Sequence, residues 1–396
     1  MAHHGTAPSG RLPLLDVLRG AAVLGTLMTN VWIFAAPGSE WAVLQGDFAV
    51  ADPLADPSAA HVAEFLFRFL ADGKFLALLT LLFGVGLAIQ YDSAARRGEP
   101  WPGRYPRRAA FLFLEGTVHF VLVFAWDVLM GYAVTALLVA WLLARSERAR
   151  RVVMWTALGV HLTLITLLTA VLAASGGSGG SGASGGSGAD DSPVAADLYA
   201  RGSWADQILF RLENAVALRI EPVFSFGLLL FLFLLGVRLH RAGAFTAGGA
   251  GPVIRRRLMV WGLGLGLPLN AACSLAGGDF FLLGRYAAAP VVALGYIGLI
   301  GFALDRLPVP APLVTGLSSV GRTALSAYVL QNVLCVLACY GLGLGLAERM
   351  AGQGPWWVMG LWAAVSLTLV AGSRLWLRGF AHGPLESVQR WALSRT

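Results

Sequence analysis

The chain has 396 residues, of which 57% are hydrophobic and 13% charged, and its formal net charge is +7. Soluble domains are nearer half apolar and a quarter charged, so this composition excludes an ordinary soluble domain and indicates an integral membrane protein. The three cysteines lie in apolar stretches without a CxxC pair or a zinc-ligand spacing, and we expect no metal site.

About twenty apolar residues are needed for a helix to cross the hydrocarbon core, and ten segments meet or approach that length. These segments predict an all-α polytopic bundle of about ten transmembrane helices with both termini in the cytoplasm. They are 12–36, 74–91, 108–126, 127–144, 152–174, 221–238, 257–276, 280–303, 320–345 and 355–376.

The segments between the helices divide the chain. Residues 1–174 hold the first five helices, with an outer loop over 37–73 that ends in a short amphipathic helix. A flexible Gly/Ser linker is predicted outside the membrane over 175–192. Residues 193–376 hold an outer amphipathic helix and the last five membrane helices, and 377–396 form an interfacial tail. We expect one membrane domain overall.

The arginines predict the orientation. The inner connections and tails hold 22 of the 29 lysines and arginines but only six of the 22 acidic residues. Positively charged loops stay in the cytoplasm. The same distribution explains the basic charge of the chain, so we expect no nucleic-acid partner.

Ionisable groups inside a bilayer are expensive, which makes each a candidate functional group. Glu115 and His119 lie four residues apart on one face of the third helix, and Asp127 follows at its outer end. A histidine oriented by a carboxylate is the usual general base for a hydroxyl or an amine. Asp127 reaches His119 only if the turn folds back. The alternative is a buried polar pair that serves packing alone.

Other helices carry further candidates. Asp16 and Arg19 form an i,i+3 pair at the inner end of the first helix, where a capping ion pair is the alternative. Asn30 lies further along that helix and should face the bundle. Arg285, near the outer start of the eighth helix, either snorkels to the surface or turns into a cavity.

The ninth helix combines Tyr328, Gln331 and Asn332 on adjoining faces of an otherwise apolar segment, which is more polarity than packing needs. Inner arginines such as Arg107 and Arg108 suit a phosphate-bearing ligand, for instance a nucleotide or coenzyme A. Topology and contact with anionic lipid are the alternative explanation. The sequence has no GxxxxGK[ST], HExxH or GxSxG motif.

Five blocks of residues occur in an informative order. They are Leu15–Gly20 with Asn30, Gly73–Phe75 with Leu82–Gly86, Arg107–Tyr132, Gly321–Tyr328 and Gly383–Glu386. Together they resemble the bacterial YeiB-like family, the domain of unknown function numbered 418. The third block matches that pattern at His119 and Asp127, with Trp126 in place of a glycine, whereas Glu115 is not part of the pattern.

The resemblance implies a place in or near a superfamily of membrane acyltransferases that includes heparan-glucosaminide N-acetyltransferase. Such enzymes take an acyl group from cytoplasmic acyl-CoA and deliver it to an acceptor on the far side. They use a histidine in the outer region after the first helix, for which this sequence offers His61 or, inside the bundle, His119. The resemblance is also compatible with a transporter.

We therefore expect a multi-pass protein of the bacterial plasma membrane that moves an acyl group, foremost acetyl, to a hydroxyl or amine. The donor phosphates would lie near Asp16 and Arg19, Arg107 and Arg108, or Arg322. The expected partners are the lipid bilayer, an acceptor that is a small molecule, lipid or glycan, and a second copy of the chain. The alternatives are a transporter of a small organic molecule and a scaffold.

Overall fold

The computed structural model describes residues 13–45, 57–176 and 191–394. These residues form helices and no β-strand, in agreement with the predicted all-α class. Six helical segments are long and apolar enough to cross a membrane, or seven if one bent pair counts as a single span. The protein is therefore a helical membrane protein.

The helices of the first half precede the Gly/Ser linker, whose residues 177–190 lie outside the described part of the chain. They are α1 (Pro13–Ala35), α2 (Ser39–Gln45), α3 (Ala59–Ala71), α4 (Lys74–Arg96), α5 (Tyr105–Leu122), α6 (Leu129–Leu143) and α7 (Glu147–Gly176). Part of the predicted outer loop, 46–56, is likewise outside the described residues.

The second half begins with short helices, which lie at the same end of the bundle as α2. It ends with an amphipathic helix at the opposite end. Its helices are α8 (Asp191–Arg201), α9 (Trp204–Glu213), α10 (Ala215–Leu218), α11 (Ile220–Phe224), α12 (Phe226–Arg241), α13 (Gly251–Leu275), α14 (Phe281–Leu283), α15 (Ala289–Arg306), α16 (Ala311–Arg322), α17 (Ala324–Cys339), α18 (Leu346–Arg349), α19 (Trp356–Gly379) and α20 (Pro384–Ser394). A π-helical turn, Gly284–Ala288, joins α14 to α15.

Each of the ten predicted membrane segments contains a helix, with two differences from the expected pattern. The ninth segment is broken, because α16 and α17 meet at an angle of 92°. The amphipathic helix expected at the surface, α3, instead runs on into α4, and the two together form one 38-residue candidate span, Ala59–Arg96.

Glycines let helices from the two halves of the chain touch backbone to backbone. A Cβ atom on Gly20 of α1 would collide with the carbonyl of Leu317 in α16, and one on Gly321 of α16 would collide with the carbonyl of Asp16. Small residues at such crossings are typical of membrane bundles, where close van der Waals packing drives helix association. The contact joins the two halves into one bundle.

The break between α16 and α17 lies at Thr323, whose backbone leaves the helical region (φ −115°, ψ 32°). The Thr323 hydroxyl is held by Ser373 Oγ of α19 at 2.9 Å and by the carbonyl of Ser319 at 3.2 Å. As a consequence a new helix, α17, begins inside the protein, and its first backbone N–H groups can donate hydrogen bonds to a partner outside the helix.

Candidate functional site

The carboxylate of Asp127 is fully buried in the turn that leads from α5 back into α6. Its Oδ2 accepts hydrogen bonds from the backbone N–H groups of Leu129 (2.9 Å) and Met130 (3.4 Å), so it caps the start of α6. Gly116 allows this approach, because a Cβ there would lie 2.9 Å from Asp127 Oδ2. The turn thus folds Asp127 back toward α5.

His119 stands between two polar partners. Its Nδ1 lies 3.0 Å from Asp127 Oδ1, and its Nε2 lies 3.2 Å from Asn332 Nδ2. The other end of that amide, Asn332 Oδ1, accepts from Asn30 Nδ2 at 3.5 Å. This order of donors assigns the proton to Nδ1, which donates to Asp127, and leaves Nε2 as an acceptor. This series of hydrogen bonds links α1, α17, α5 and the turn between α5 and α6.

Tyr328 of α17 completes the cluster around Asp127. Its hydroxyl lies 3.5 Å from Asp127 Oδ1, and its ring centroid is 5.6 Å from that of His119. Asp127 therefore accepts from the histidine, the tyrosine and two backbone amides. We call Asp127, His119 and Tyr328 the buried triad.

A cavity of about 400 Å³, here the basic cavity, opens toward the arginine-rich end of the bundle. Its polar lining includes three arginines from three helices, Arg19, Arg108 and Arg322, and its apolar wall includes Leu82 and Phe83. A volume in the range of roughly 300–1,000 Å³, apolar walls and a few convergent polar groups are typical of small-molecule sites. Tyr328 lines this cavity as well.

The amphipathic helix α20 closes part of the basic cavity, which Glu386 and Gln389 line. Glu386 Oε1 accepts from the N–H of Leu325 at 2.9 Å, and Oε2 accepts from the Ser326 hydroxyl. Glu386 therefore occupies the freshly started amino terminus of α17, a place that favours negative charge.

A second cavity of about 350 Å³, here the distal cavity, lies toward the opposite end of the bundle. Its lining mixes hydroxyl, amide, charged and aromatic groups, namely Thr26, Thr29, Asn30, Trp126, Glu221, Phe224, Arg285, Tyr286 and Tyr328 among others. Of the described residues that line the two cavities, Tyr328 alone belongs to both. A side pocket of about 40 Å³ shares Glu221 and Arg285 with the distal cavity and reaches Asp127.

Charged side chains of the distal cavity are paired. Arg285 contacts the carboxylate of Asp72 and lies 3.5 Å from Glu221 Oε1. The Tyr286 hydroxyl donates to the same Glu221 oxygen. Arg285 therefore turns into the cavity rather than snorkelling to the surface.

A second buried cluster holds the turn before Asp127 in place. It consists of Glu40, Arg211 and Tyr199, and we call it the Glu40 clamp. Glu40 Oε1 accepts from the N–H of Ala125 at 2.7 Å, while Oε2 accepts from Arg211 Nε at 2.9 Å and from the Tyr199 hydroxyl at 2.6 Å. Burial raises the pKa of Tyr199 well above its ordinary value, and Glu40 raises it further. Burial lowers the pKa of Arg211, but Glu40, Tyr340 and Tyr199 together outweigh this and leave it raised.

The predicted catalytic residues fall into two groups. His119 and Asp127 are in contact, whereas the two carboxylate oxygens of Glu115 have no hydrogen-bond partner and take no part in the triad. His61 lies in the first turn of α3 and lines neither cavity. The structure thus brings Asp127, not Glu115, to the histidine.

The predicted ligand residues also divide. Arg19, Arg108 and Arg322 line the basic cavity, while Arg107 does not and Asp16 pairs with Arg19 at 3.5 Å. In the predicted pocket, Asn30, Arg285 and Tyr328 line the distal cavity. Asn332 instead holds His119, and both polar atoms of Gln331 are buried without a hydrogen-bond partner.

Sequence reasoning missed Glu386, Glu221 and Glu40 as parts of the site. Glu386 stands in the Gly-Pro-Leu-Glu block at the start of the tail helix, a position that signals a role beyond an interfacial anchor. Glu40 and Glu221 lie in short helices between membrane segments, where the sequence pattern does not distinguish a buried acid from an exposed one. Within the described ranges no group of three His, Cys, Asp or Glu residues could hold a metal ion.

Comparison with known proteins gives one family and several relatives. Residues 239–396 match the family model described as "Protein of unknown function (DUF418)". The chain is 26% identical to the uncharacterized protein YxaH of Bacillus subtilis (strain 168), over 98% of this chain and 95% of that protein. It is 29% identical to the uncharacterized protein YeiB of Escherichia coli (strain K12), over 95% of this chain and 94% of that protein.

Proposed function

We propose that this chain, which carries a DUF418 family match and is homologous to YeiB and YxaH over nearly its whole length, is an acyltransferase of the bacterial plasma membrane. It would pass an acyl group, foremost acetyl, from a donor in the basic cavity to a hydroxyl or amine in the distal cavity. One observation carries the proposal: Tyr328, hydrogen-bonded to a buried Asp127–His119 pair, is the wall shared by both cavities.

The basic cavity suits acyl-CoA as donor substrate. Arg19, Arg108 and Arg322 supply positive charge for phosphate groups, and the apolar wall suits an extended pantetheine arm. In this arrangement the thioester carbonyl would stop beside Tyr328. Arg322 has an Nε atom that is buried without a hydrogen-bond partner, which suits an anion that the chain itself does not provide.

The buried triad would move the acceptor proton. As the acceptor oxygen or nitrogen attacks the thioester carbon, its proton passes to the Tyr328 oxygen while the tyrosine proton passes to Asp127. The new C–O or C–N bond forms, the C–S bond breaks, and the proton returns through Tyr328 to the leaving thiolate. The 3.5 Å contact between Tyr328 and Asp127 is long, as catalytic hydrogen bonds often are without substrate.

His119 would serve as an orienting group in this scheme. Its Nε2 is already engaged by Asn332, and its Nδ1–H donates to Asp127. A neutral histidine in this position would orient the carboxylate of Asp127 and reduce the free energy needed to protonate and deprotonate it. We therefore assign the direct contact with substrate to Tyr328.

The test is incubation of the protein in nanodiscs with labelled acetyl-CoA, with release of free thiol and labelled product scored separately. We expect thiol release in the wild type and its loss in His119→Ala, while Tyr296→Phe, which removes a hydroxyl bonded to the Leu70 carbonyl, keeps it. Absence of acetyl-CoA binding together with unchanged behaviour of His119→Ala would refute the proposal.

Transport of a small organic molecule is the second candidate. Two cavities toward opposite ends that share Tyr328 in their walls, beside the broken pair α16 and α17, also suit alternating access. The two functions differ in one outcome, since a transporter moves its substrate without covalent change. The arginines around the basic cavity favour the enzyme.

A further inference from the structure

A third cavity lies between α7 and α12 at the arginine-rich end, apart from the basic and distal cavities. It measures about 260 Å³, and four arginines line it, Arg150 and Arg151 from α7 and Arg238 and Arg241 from α12. Among the described residues that line it, Glu147 is the only acid, so this lining carries a net charge of +3. We call it the four-arginine pocket.

The positive charge of this pocket is poorly compensated within the protein. In the described part of the chain, no carboxylate lies within ion-pair distance of Arg150, Arg238 or Arg241, and Arg151 meets Glu147 only at 3.7 Å. Arg150 donates to the backbone carbonyls of Leu143 and Arg145, which fixes its guanidinium without neutralising it. Arg241 and Arg150 lie close enough to repel each other.

The floor of the pocket is apolar and its surroundings belong to the membrane. Met154, Leu234 and Val237 form the floor, and all three are buried. Trp155, four residues after Arg151 and about 6 Å further along the helix, is half exposed and packs against Phe231 of α12 with ring centroids 5.9 Å apart. Tryptophan is enriched at the depth of the lipid headgroups, so the arginines lie at that depth.

We propose that the four-arginine pocket binds the headgroup of an anionic phospholipid, with the acyl chains along the exposed apolar surface of α7 at Val152 and Trp155. Basic pockets between membrane helices on the cytoplasmic side are suited to headgroups that carry more than one phosphate. A net charge of +3 matches two phosphates better than one. The proposed ligand is therefore a glycerolipid with two phosphodiester groups, of the cardiolipin type, independent of the substrates proposed above.

The experiment measures the thermal unfolding of the purified full chain in detergent, with cardiolipin, phosphatidylglycerol, phosphatidylcholine or inorganic diphosphate added. We expect cardiolipin to raise the unfolding temperature of the wild type more than phosphatidylglycerol does, and phosphatidylcholine and diphosphate to leave it unchanged. Arg151→Gln/Arg238→Gln should need at least tenfold more cardiolipin for the same shift. These two substitutions do not change Arg150 or its hydrogen bonds to the carbonyls of Leu143 and Arg145.

The matched control is Arg256→Gln/Arg257→Gln, which removes two exposed arginines of α13 at the same end of the bundle. This variant should respond to cardiolipin as the wild type does. Equal loss in both double variants would reduce the effect to general charge and overturn the proposal. An equal response to inorganic diphosphate would also overturn it, because the site would then bind a soluble phosphate. Arg151→Lys/Arg238→Lys, which keeps the charge, should retain the response, and an unchanged unfolding temperature of the glutamine variant without lipid excludes misfolding as the cause of its loss.

Discussion

Asp127 accepts hydrogen bonds from a histidine, a tyrosine and two backbone amides, and of the two donor side chains the tyrosine lines the cavities whereas the histidine does not. Because Tyr328 would carry the proton, Tyr328→Phe should lower kcat by about 10²–10⁴-fold, the usual range for loss of general acid–base catalysis, with little change in donor KM. Asp127→Asn should be at least as severe, since it also removes the charge that His119 faces. The measurement is thiol release from acetyl-CoA. A Tyr328→Phe variant with wild-type kcat would move the proton-transfer role to another group.

The Glu40 clamp contains an ion pair in which neither side chain is exposed. Glu40→Gln leaves Arg211 buried without a counter-charge and should destabilise the protein by about 3–5 kcal/mol. Glu40→Gln/Arg211→Met should recover part of that loss, so the double change should cost less than the sum of the single ones. Thermal unfolding in detergent measures all three. Glu99→Gln, which breaks the exposed 2.7 Å pair with Arg97, is the control and should have no measurable effect.

Part of the site is readable in the sequence. The helical position of His119 and the polar face at Tyr328 and Asn332 follow from spacing alone, and all three prove to be neighbours. Glu115 has the better helical spacing to His119 but lacks the contact, because the turn closed by the Glu40 clamp places Asp127 there instead. The backbone of that turn is bound at Ala125 by an acid 85 residues earlier in the chain, which no local pattern indicates.

At the scale of helices, the crossing of α1 and α16 depends on Gly321. Gly321→Ala should force the two backbones apart and destabilise the protein by about 1–3 kcal/mol, as overpacking does. The control is Gly264→Ala in α13, where a Cβ would meet nothing within 4 Å. Since alanine favours helix over glycine, that variant should be neutral or slightly more stable. Thermal unfolding of both variants tests the pair, and equal destabilisation would contradict the crossing.

If the proposed donor binds in the basic cavity, Glu386 of α20 would compete with it for the amino terminus of α17. A carboxylate at a helix amino terminus is stabilised by about 0.3–1 kcal/mol, so its removal frees both the helix end and part of the cavity. Glu386→Gln should therefore lower the KM for acyl-CoA about two- to fivefold, by the same energy. Steady-state kinetics measure the effect, and Glu348→Gln, at the opposite end beside Arg201, serves as the control. A raised KM would mean that Glu386 helps to hold the donor.

The helices themselves were largely predictable, because a run of apolar residues long enough to span a bilayer leaves few other structures open. The break at Thr323 was not, since Val320–Tyr328 contains no proline and reads as one continuous helix. Tertiary contacts accompany it: Ser373 of α19 binds the Thr323 hydroxyl, and the backbone of α1 at Asp16 packs closely against Gly321, where α16 ends.

At the scale of the molecule, the arginines predict which end faces the cytoplasm. A cysteine placed in the Gly/Ser linker, Ser181→Cys, should react with a membrane-impermeant maleimide on intact cells. A cysteine in the tail helix, Ser394→Cys, should react only after the cells are permeabilised. The three native cysteines are buried and should contribute little background. The reverse labelling pattern would show that the predicted orientation is wrong, and the proposed donor and acceptor would then lie on opposite sides from those given above.

The shared wall at Tyr328 has an electrical consequence. If water fills the two cavities that share Tyr328, it would carry each bulk potential inward, and much of the membrane voltage would then fall across the partition between them. Moving one elementary charge through the full potential is worth about 2.3 kcal/mol per 100 mV. A proton that passes between Tyr328 and Asp127 crosses part of that field, so the energised state of the cell would bias this step although no ion is transported. In the proposed reaction the phenol ring would also separate the two cavities, and Tyr328→Gly would be expected to let small ions pass between them.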